Sequence, residues 1–258
     1  MDVKILKKQD NELIFLLKDS DPSFVNTLRR TILSDVPTLA IRTITFTKNT
    51  SALFDEVLAH RIGLIPFIAD LKTYNFKDDC KCKGKGCGVC QVYFTLKAEG
   101  PITIHAEDIK CKDGNIKSVY GKIPVVQLLK SQELEFEALA GLGAGKEHTK
   151  FSPAHAYYTG VPKINFSSET KAKEAFKECD NLLKGSGKTF EVSDITKWNG
   201  RHEEICEELG GEIEYSEKDF VFFLETWGQL KSQEIISKAL DIIDSKLDDF
   251  LTQLEKAD

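Results

Sequence analysis

Cys80, Cys82, Cys87 and Cys90 stand within eleven residues in the pattern C-x-C-x4-C-x2-C, and no other feature restricts the chain so tightly. Four thiolates close a tetrahedral site around one ion at about 2.3 Å per bond, provided the backbone folds sharply back on itself. Gly84, Gly86 and Gly88 offer that freedom because glycine tolerates positive φ. Lys81, Lys83 and Lys85 offset the negative charge that zinc keeps when four thiolates hold it. Four protein ligands leave no open position, so a zinc here is structural, a staple and not a reaction centre. Two other readings remain: an iron–sulfur centre, although the spacing departs from ferredoxin runs, and a reduced, flexible Lys/Gly-rich loop.

The remaining cysteines, Cys111, Cys179 and Cys206, are scattered, and the total of seven is odd. The N-terminus, Met1-Asp2-Val3-Lys4-Ile5-Leu6-Lys7-Lys8, alternates apolar and charged residues and reads as a strand instead of a secretory leader. Together these point to a reducing, cytoplasmic setting, where clustered cysteines more often mean metal than disulfide. No stretch approaches the roughly 18 uninterrupted apolar residues of a membrane span, so no membrane partner is expected. With 35 Lys+Arg against 41 Asp+Glu, the net charge is −6, which lacks the basic footprint of a protein that grips nucleic acid by itself. Contact with DNA is expected only through other subunits. A chain of 258 residues allows one or two domains with a core that needs no disulfides.

Along the chain, Val3 to Leu6 and Leu13 to Leu17 read as a hairpin across Gln9-Asp10-Asn11. Asp21 can cap a helix that opens at Pro22, carries Phe24, Val25, Leu28, Ile32 and Leu33 at helical spacing, and stops before Pro37. Ile41 to Thr47 alternates as a strand, with Ile41, Thr43, Thr45 and Thr47 on one face and Ile44 and Phe46 on the other. Phe54, Val57, Leu58 and Ile62 form a helical stripe ending before Pro66. Val92, Phe94, Leu96 and Ala98 alternate with polar residues, as do Leu134, Phe136, Ala138 and Ala140. Gly141-Leu142-Gly143-Ala144-Gly145-Lys146 invites a phosphate-loop reading, but Ala140 and Glu147 stand where that pattern needs Gly and Ser or Thr. It reads instead as a glycine-rich turn, and His148 and His155 beside it lack any nucleophile arrangement.

From Pro162 to Asp219 the character changes. Helices are expected over Glu169 to Leu183 and Arg201 to Leu209, separated by the Lys/Gly-rich piece Lys184-Gly185-Ser186-Gly187-Lys188 and a short strand-like piece. Phe220 to Leu224 then reads as a strand. In the final helix Ile236, Leu240, Ile243, Leu247, Phe250 and Leu254 step by four, three, four, three and four, with acids between them. Such a 3.5-residue stripe suits packing along another helix.

Two long motifs now carry a resemblance. Phe24-Val25-Asn26-Thr27-Leu28-Arg29-Arg30-Thr31-Ile32-Leu33 resembles the first helix of the alpha-like subunits of cellular RNA polymerases. Phe54-Asp55-Glu56-Val57-Leu58-Ala59-His60-Arg61-Ile62-Gly63-Leu64-Ile65-Pro66 resembles their second signature. Gly145 to Pro153 and Glu225-Thr226-Trp227-Gly228 stand where similar motifs occur, and the likeness covers nearly the whole chain. The length, cysteine loop and inserted module make it most similar to the archaeal, D-type members, counterparts of the third-largest subunit of eukaryotic polymerase II.

The resemblance implies an α+β chain. Residues 1–45 plus 220–258 would form a dimerisation domain that pairs with subunit L, and 46–161 an inserted β-rich domain carrying the cysteine loop. Residues 162–219 would be a ferredoxin-like module. The interface with L would use Phe24, Leu28 and Ile32 of the first helix and the stripe from Ile236 to Leu254, both standing exposed in a lone chain. The heterodimer would then recruit subunits N and P and dock the two large catalytic subunits, while this chain contributes no catalytic residue to the nucleotidyltransferase complex. One departure matters. Many archaeal members carry cluster-binding cysteine runs in the ferredoxin-like module, whereas this one retains only Cys179 and Cys206, so no iron–sulfur cluster is expected there. The competing reading is an independent zinc-containing DNA-binding regulator.

Overall fold

The computed structural model describes residues 1–112, 114 and 116–257. The alternating and short apolar runs become strands, giving a mixed α/β chain that is mostly strand, with five α-helices among the described residues. In order these are β1 (Asp2–Lys8), β2 (Glu12–Lys18), α1 (Pro22–Ser34), β3 (Pro37–Asn49), α2 (Asp55–Gly63), β4 (Phe67–Ile68) and β5 (Val92–Glu99). There follow β6 (Ile102–His105), β7 (Lys110–Cys111), β8 (Lys117–Ser118), β9 (Pro124–Leu128), β10 (Glu133–Ala144) and β11 (Ala154–Phe166). The chain ends with α3 (Glu169–Glu178), β12 (Leu183–Ser186), β13 (Thr189–Val192), α4 (Gly200–Glu208), β14 (Gly211–Thr226) and α5 (Ser232–Glu255). No helix among the described residues is long and apolar enough to cross a membrane.

Two compact units form, one from Met1–Arg29 with Ala156–Glu225, the other from Arg30–His155 with Thr226–Asp258. The first is built on a six-stranded sheet in the order β1-β2-β14-β11-β13-β12. Its hairpin β1-β2 pairs in antiparallel register around the expected turn, and β2 continues the ladder to β14 with Phe15 opposite Phe222. Those two rings stack at 5.0 Å. From β11 to β14 the elements run β-α-β-β-α-β, and Ile164, Phe166, Ala172, Ala175, Cys179, Leu183, Phe190 and Cys206 make their core. The helix expected over Glu169 to Leu183 stops at Glu178. Asp180 and Asn181 both adopt left-handed backbone, φ 52° and 59°, a region Asn and Asp enter more readily than most residues. Leu183 therefore opens β12, and the Lys/Gly-rich piece runs along that strand into the turn at Gly187 and Lys188 before β13.

The second unit is organised by β10, which lies between β3 and β5 in a four-stranded sheet ordered β3-β10-β5-β7. Its inward residues Leu134, Phe136, Ala138 and Ala140 meet Val92, Phe94 and Leu96 of β5 as the alternation predicted, and α2 adds Leu58 and Ile62. Two corrections concern β3 and α2. Ile41 is buried on the core side, where Ile44 and Phe46 pack half-buried, and not on the threonine face. Leu139 pairs with Thr43 but Ala140 pairs with Ile41, so Arg42 is an extra residue in a β-bulge that inverts the alternation. On α2 only half the stripe is core: Phe54 is 79% exposed and Val57 44%.

The glycine run also differs from expectation. Gly141 and Gly143 belong to β10 itself, which continues to Ala144. A Cβ on Gly143 would lie 2.7 Å from the Phe151 ring, and one on Gly145 would lie 1.9 Å from the Leu33 carbonyl oxygen. Close packing, not turn geometry, demands these glycines. Because the obstacle at position 145 is backbone, Gly145→Ala should destabilise the chain by about 1–3 kcal/mol, read as a lower midpoint in urea with an unchanged slope. A midpoint equal to that of the parent chain would show that Leu33 can move away freely.

Candidate metal centre and an uncovered helix face

The segment between β4 and β5 is tied at its base by Asn75, whose N–H donates to the Val89 carbonyl at 2.9 Å, and by Tyr74 and Val92 in the core. Tight turns follow, with Lys83 N–H on Cys80 O at 2.8 Å, Lys85 on Cys82 O at 3.2 Å, and Cys90 and Gln91 both on Cys87 O. Gly84 and Gly86 take positive φ, 76° and 88°, as expected, but the third such residue is Lys83 at 53°, not Gly88.

These turns bring four sulfurs together. Cys80 Sγ lies 3.5 Å from Cys87 Sγ, Cys82 Sγ 3.6 Å from Cys90 Sγ, and Cys87 Sγ 3.8 Å from Cys90 Sγ. All four lie within 4.8 Å of one another. A tetrahedral ion with metal–sulfur bonds near 2.3 Å sets its sulfurs about 3.8 Å apart, so the donor set fits a single ion. A polynuclear cluster spreads its cysteine sulfurs over several irons and fits this spacing poorly. Cys80 and Cys90 are buried, Cys82 and Cys87 half-buried. The Cys87 N–H donates to Cys90 Sγ at 3.4 Å.

Crowding makes the thiols unequal. At Cys80 a backbone hydrogen bond from Cys82 favours the thiolate, but burial and the hydrogen bonds shared with Cys82, Cys87 and Cys90 outweigh it and push the thiol up to about 12. Burial opposes ionisation of Cys82 as well, yet hydrogen bonds from Cys80, the Gly86 backbone, Cys90 and Cys87 bring it down to about 6. The group accepts one negative charge easily and resists a second until a cation compensates it.

Cys179 and Cys206 also meet, both fully buried with Sγ atoms 3.8 Å apart. Cys206 is pushed up to about 12, chiefly by burial. His202 lies 8% exposed with Nδ1 accepting the Asn199 N–H at 3.2 Å, an arrangement that caps α4. The two thiols pack as small apolar groups in the core of α3 and α4.

The helical stripes behave differently from each other. On α1, Leu28 and Ile32 are buried within the chain and Phe24 is half-buried, so this stripe is not the exposed liability expected of it. On α5, Ile235 and Ala239 are buried while Ile236 and Ile243 are half-buried. Leu240, Leu247, Phe250 and Leu254 are exposed, joined by Leu251, with Leu247 at 56% and Phe250 at 57%. The spacing argument located this face but missed what holds it. Lys246 donates to Asp35 Oδ2 at 2.7 Å, and Lys146 lies 3.9 Å from Oδ1 of the same carboxylate. Next to Lys146, Glu147 accepts from the Ala144 N–H at 3.1 Å and from Arg42 at 2.9 Å. Burial acts to raise the Glu147 carboxyl, but those two donors hold it below its ordinary range. Arg42, placed by the bulge, also lies 4.7 Å over the Phe151 ring.

A β-rich unit carrying a four-cysteine loop that could hold one metal ion is the class of protein the fold and site define, and comparison with known proteins specifies its family. Residues 43–157 match the family model described as the RNA polymerase Rpb3/RpoA insert domain. Over 97% of both chains, the sequence is 35% identical to DNA-directed RNA polymerase subunit Rpo3 of Methanosphaera stadtmanae. It is 37% identical to the Rpo3 of Thermococcus kodakarensis over 99% of this chain and 98% of that one, and 30% identical to that of Archaeoglobus fulgidus with the same shares. The chain belongs to the Rpo3 family of archaeal DNA-directed RNA polymerase subunits. That membership lends nothing to the reading as an independent DNA-binding regulator.

Proposed function

We propose that this chain is the D-type, non-catalytic assembly subunit of a cytoplasmic archaeal RNA polymerase, pairing with subunit L to make the platform on which the large catalytic subunits assemble. The observation that carries the reading is the uncovered row Leu240, Leu247, Phe250, Leu251 and Leu254 on α5. A solvated helix of this length has no use for such a row, and a partner helix removes it from water at roughly 25 cal/mol for each Å² of apolar surface buried. Ile236 and Ile243 extend the row at its edge, while Phe24, Leu28 and Ile32 are the α1 contribution to the same pairing with L. Subunits N and P and the two large subunits join the heterodimer, and DNA is reached only through the complex.

In this reading 1–45 plus 220–258 is the dimerisation domain, 46–161 the inserted domain and 162–219 a ferredoxin-like module. The β-α-β-β-α-β order from β11 to β14 supports the last assignment. With Cys179 and Cys206 as its cysteines, it holds no cluster. Zinc is the ion at Cys80, Cys82, Cys87 and Cys90, where it would supply the double positive charge those thiols lack and pin the loop to the inserted domain. The reading is tested by assembling the polymerase from separated subunits with and without this chain.

A further inference from the structure

The four sulfurs of the cysteine loop are neither equally near nor equally exposed. Cys80 Sγ lies 3.5 Å from Cys87 Sγ and Cys82 Sγ 3.6 Å from Cys90 Sγ, so the two shortest separations use all four residues without sharing one. Cys82 and Cys87 are half-buried, whereas Cys80 is 6% exposed and Cys90 2%. Each close pair therefore joins a half-buried cysteine to a buried one.

That pattern suits oxidation by a small peroxide, in which an accessible thiolate becomes a sulfenic acid and a neighbouring thiol then converts it to a disulfide. The other pairings fit worse. Joining Cys82 to Cys87 would leave Cys80 and Cys90, both buried, with no sulfur that the oxidant reaches. Joining Cys87 to Cys90, 3.8 Å apart, would leave Cys80 to close a ring with Cys82 across a single residue, inside the turn where the Lys83 N–H donates to Cys80 O. Cys179 and Cys206 supply a contrast within the same chain, since their sulfurs also lie 3.8 Å apart but both residues are 0% exposed.

We propose that the loop is a modification site for hydrogen peroxide, at which Cys87 and Cys82 are oxidised first and then bridge to Cys80 and Cys90 respectively. In each pair the half-buried thiolate attacks one peroxide oxygen, the O–O bond breaks, and the departing hydroxide takes a proton to become water. The buried thiolate then attacks the sulfenic acid at sulfur, the S–S bond forms, and a second hydroxide leaves and takes a proton. Two thiolates, one peroxide and two protons thus give one disulfide and two waters, with sulfur oxidised and peroxide oxygen reduced. Disulfide sulfurs are neutral, so the oxidised loop no longer holds an ion, and a dithiol that reduces both bridges restores the four ligands. The inference rests on the zinc reading only for the ion that is lost.

The test uses the full chain carrying Cys111→Ser, which removes the remaining half-buried thiol, loaded with zinc and treated with hydrogen peroxide. Zinc release is followed with a chromogenic chelator, and disulfides are mapped by mass spectrometry of unreduced tryptic peptides. Cleavage at Lys81 separates Cys80 from Cys82, and fragmentation between Cys87 and Cys90 tells their partners apart. The expected result is loss of the bound zinc together with the Cys80–Cys87 and Cys82–Cys90 bridges, at least tenfold slower oxidation of Cys179 and Cys206, and renewed zinc uptake after a dithiol. Cys87→Ser should retain the Cys82–Cys90 bridge alone. A Cys87–Cys90 bridge as the main product, sulfinic acids in place of bridges, zinc lost before any bridge forms, or a Cys179–Cys206 bridge formed equally fast would each overturn the proposal. A chain that takes up no zinc strikes the zinc reading instead, and the disulfide map then still decides the pairing.

Discussion

Removing the ion from the four-cysteine loop should release the segment from about Asp70 to Gln91 while the sheets remain folded. Structural zinc contributes apparent binding free energies of about 10–16 kcal/mol in small peptides near neutral pH, and a loop rich in Lys and Gly has little else to hold it. Its remaining anchors include the Asn75–Val89 hydrogen bond and the side chains of Leu71, Tyr74 and Phe76 on the core. Chelation, or Cys90→Ser at a buried ligand, should therefore open sites for limited proteolysis inside the loop at least tenfold faster than in the loaded protein. Elemental analysis of native protein should find about one zinc per chain. Protein without metal and equally resistant to protease would show that the thiols pack as a reduced cluster and need no ion.

The second large effect concerns α5. Leu240→Asp with Leu247→Asp should leave the isolated chain folded, because both side chains are exposed there. Pairing with subunit L should be lost nonetheless. Stranding a charge without a partner in a buried interface costs about 3–5 kcal/mol, and each 1.4 kcal/mol is tenfold in affinity, so co-purification should fall at least a hundredfold. The paired control is Lys238→Asp with Asp241→Lys, which changes charge on the same helix without entering the apolar row and should leave pairing nearly intact. Full pairing by the double Asp variant would mean that the row serves something other than L.

Sequence reasoning reached some of this and missed the rest for physical reasons. The cysteine loop was legible because four cysteines lie within eleven residues, and local turns alone bring their sulfurs together. The strands β5 and β10 were legible because β5, and β10 from Leu134 to Ala140, bury one face, which imposes a period of two there. Arg42 broke that logic. One extra residue in a bulge inverts the face downstream, and alternation carries no mark of it. The end of α3 was hidden because Asp180 and Asn181 leave the helix through left-handed backbone, whereas apolar spacing continues to Leu183.

The glycines before Lys146 suggested a turn, yet their cause is the nearness of Leu33 and Phe151, which only the tertiary fold reveals. On α5 the spacing found the exposed face but not its limits. Burial of Ile235 and Ala239, and the Lys246–Asp35 pair, decide which part of the helix stays free.

The account stands or falls on whether this chain is needed to assemble a polymerase in whose chemistry it takes no part. Polymerase rebuilt from separated subunits, with this chain as the single omission, measures that directly by the yield of assembled large subunits and by nucleotide incorporation. The expected result is full assembly and incorporation with the chain present, loss of both on omission, and no incorporation by the chain alone. Large subunits that assemble and incorporate nucleotides equally well without it would contradict the account.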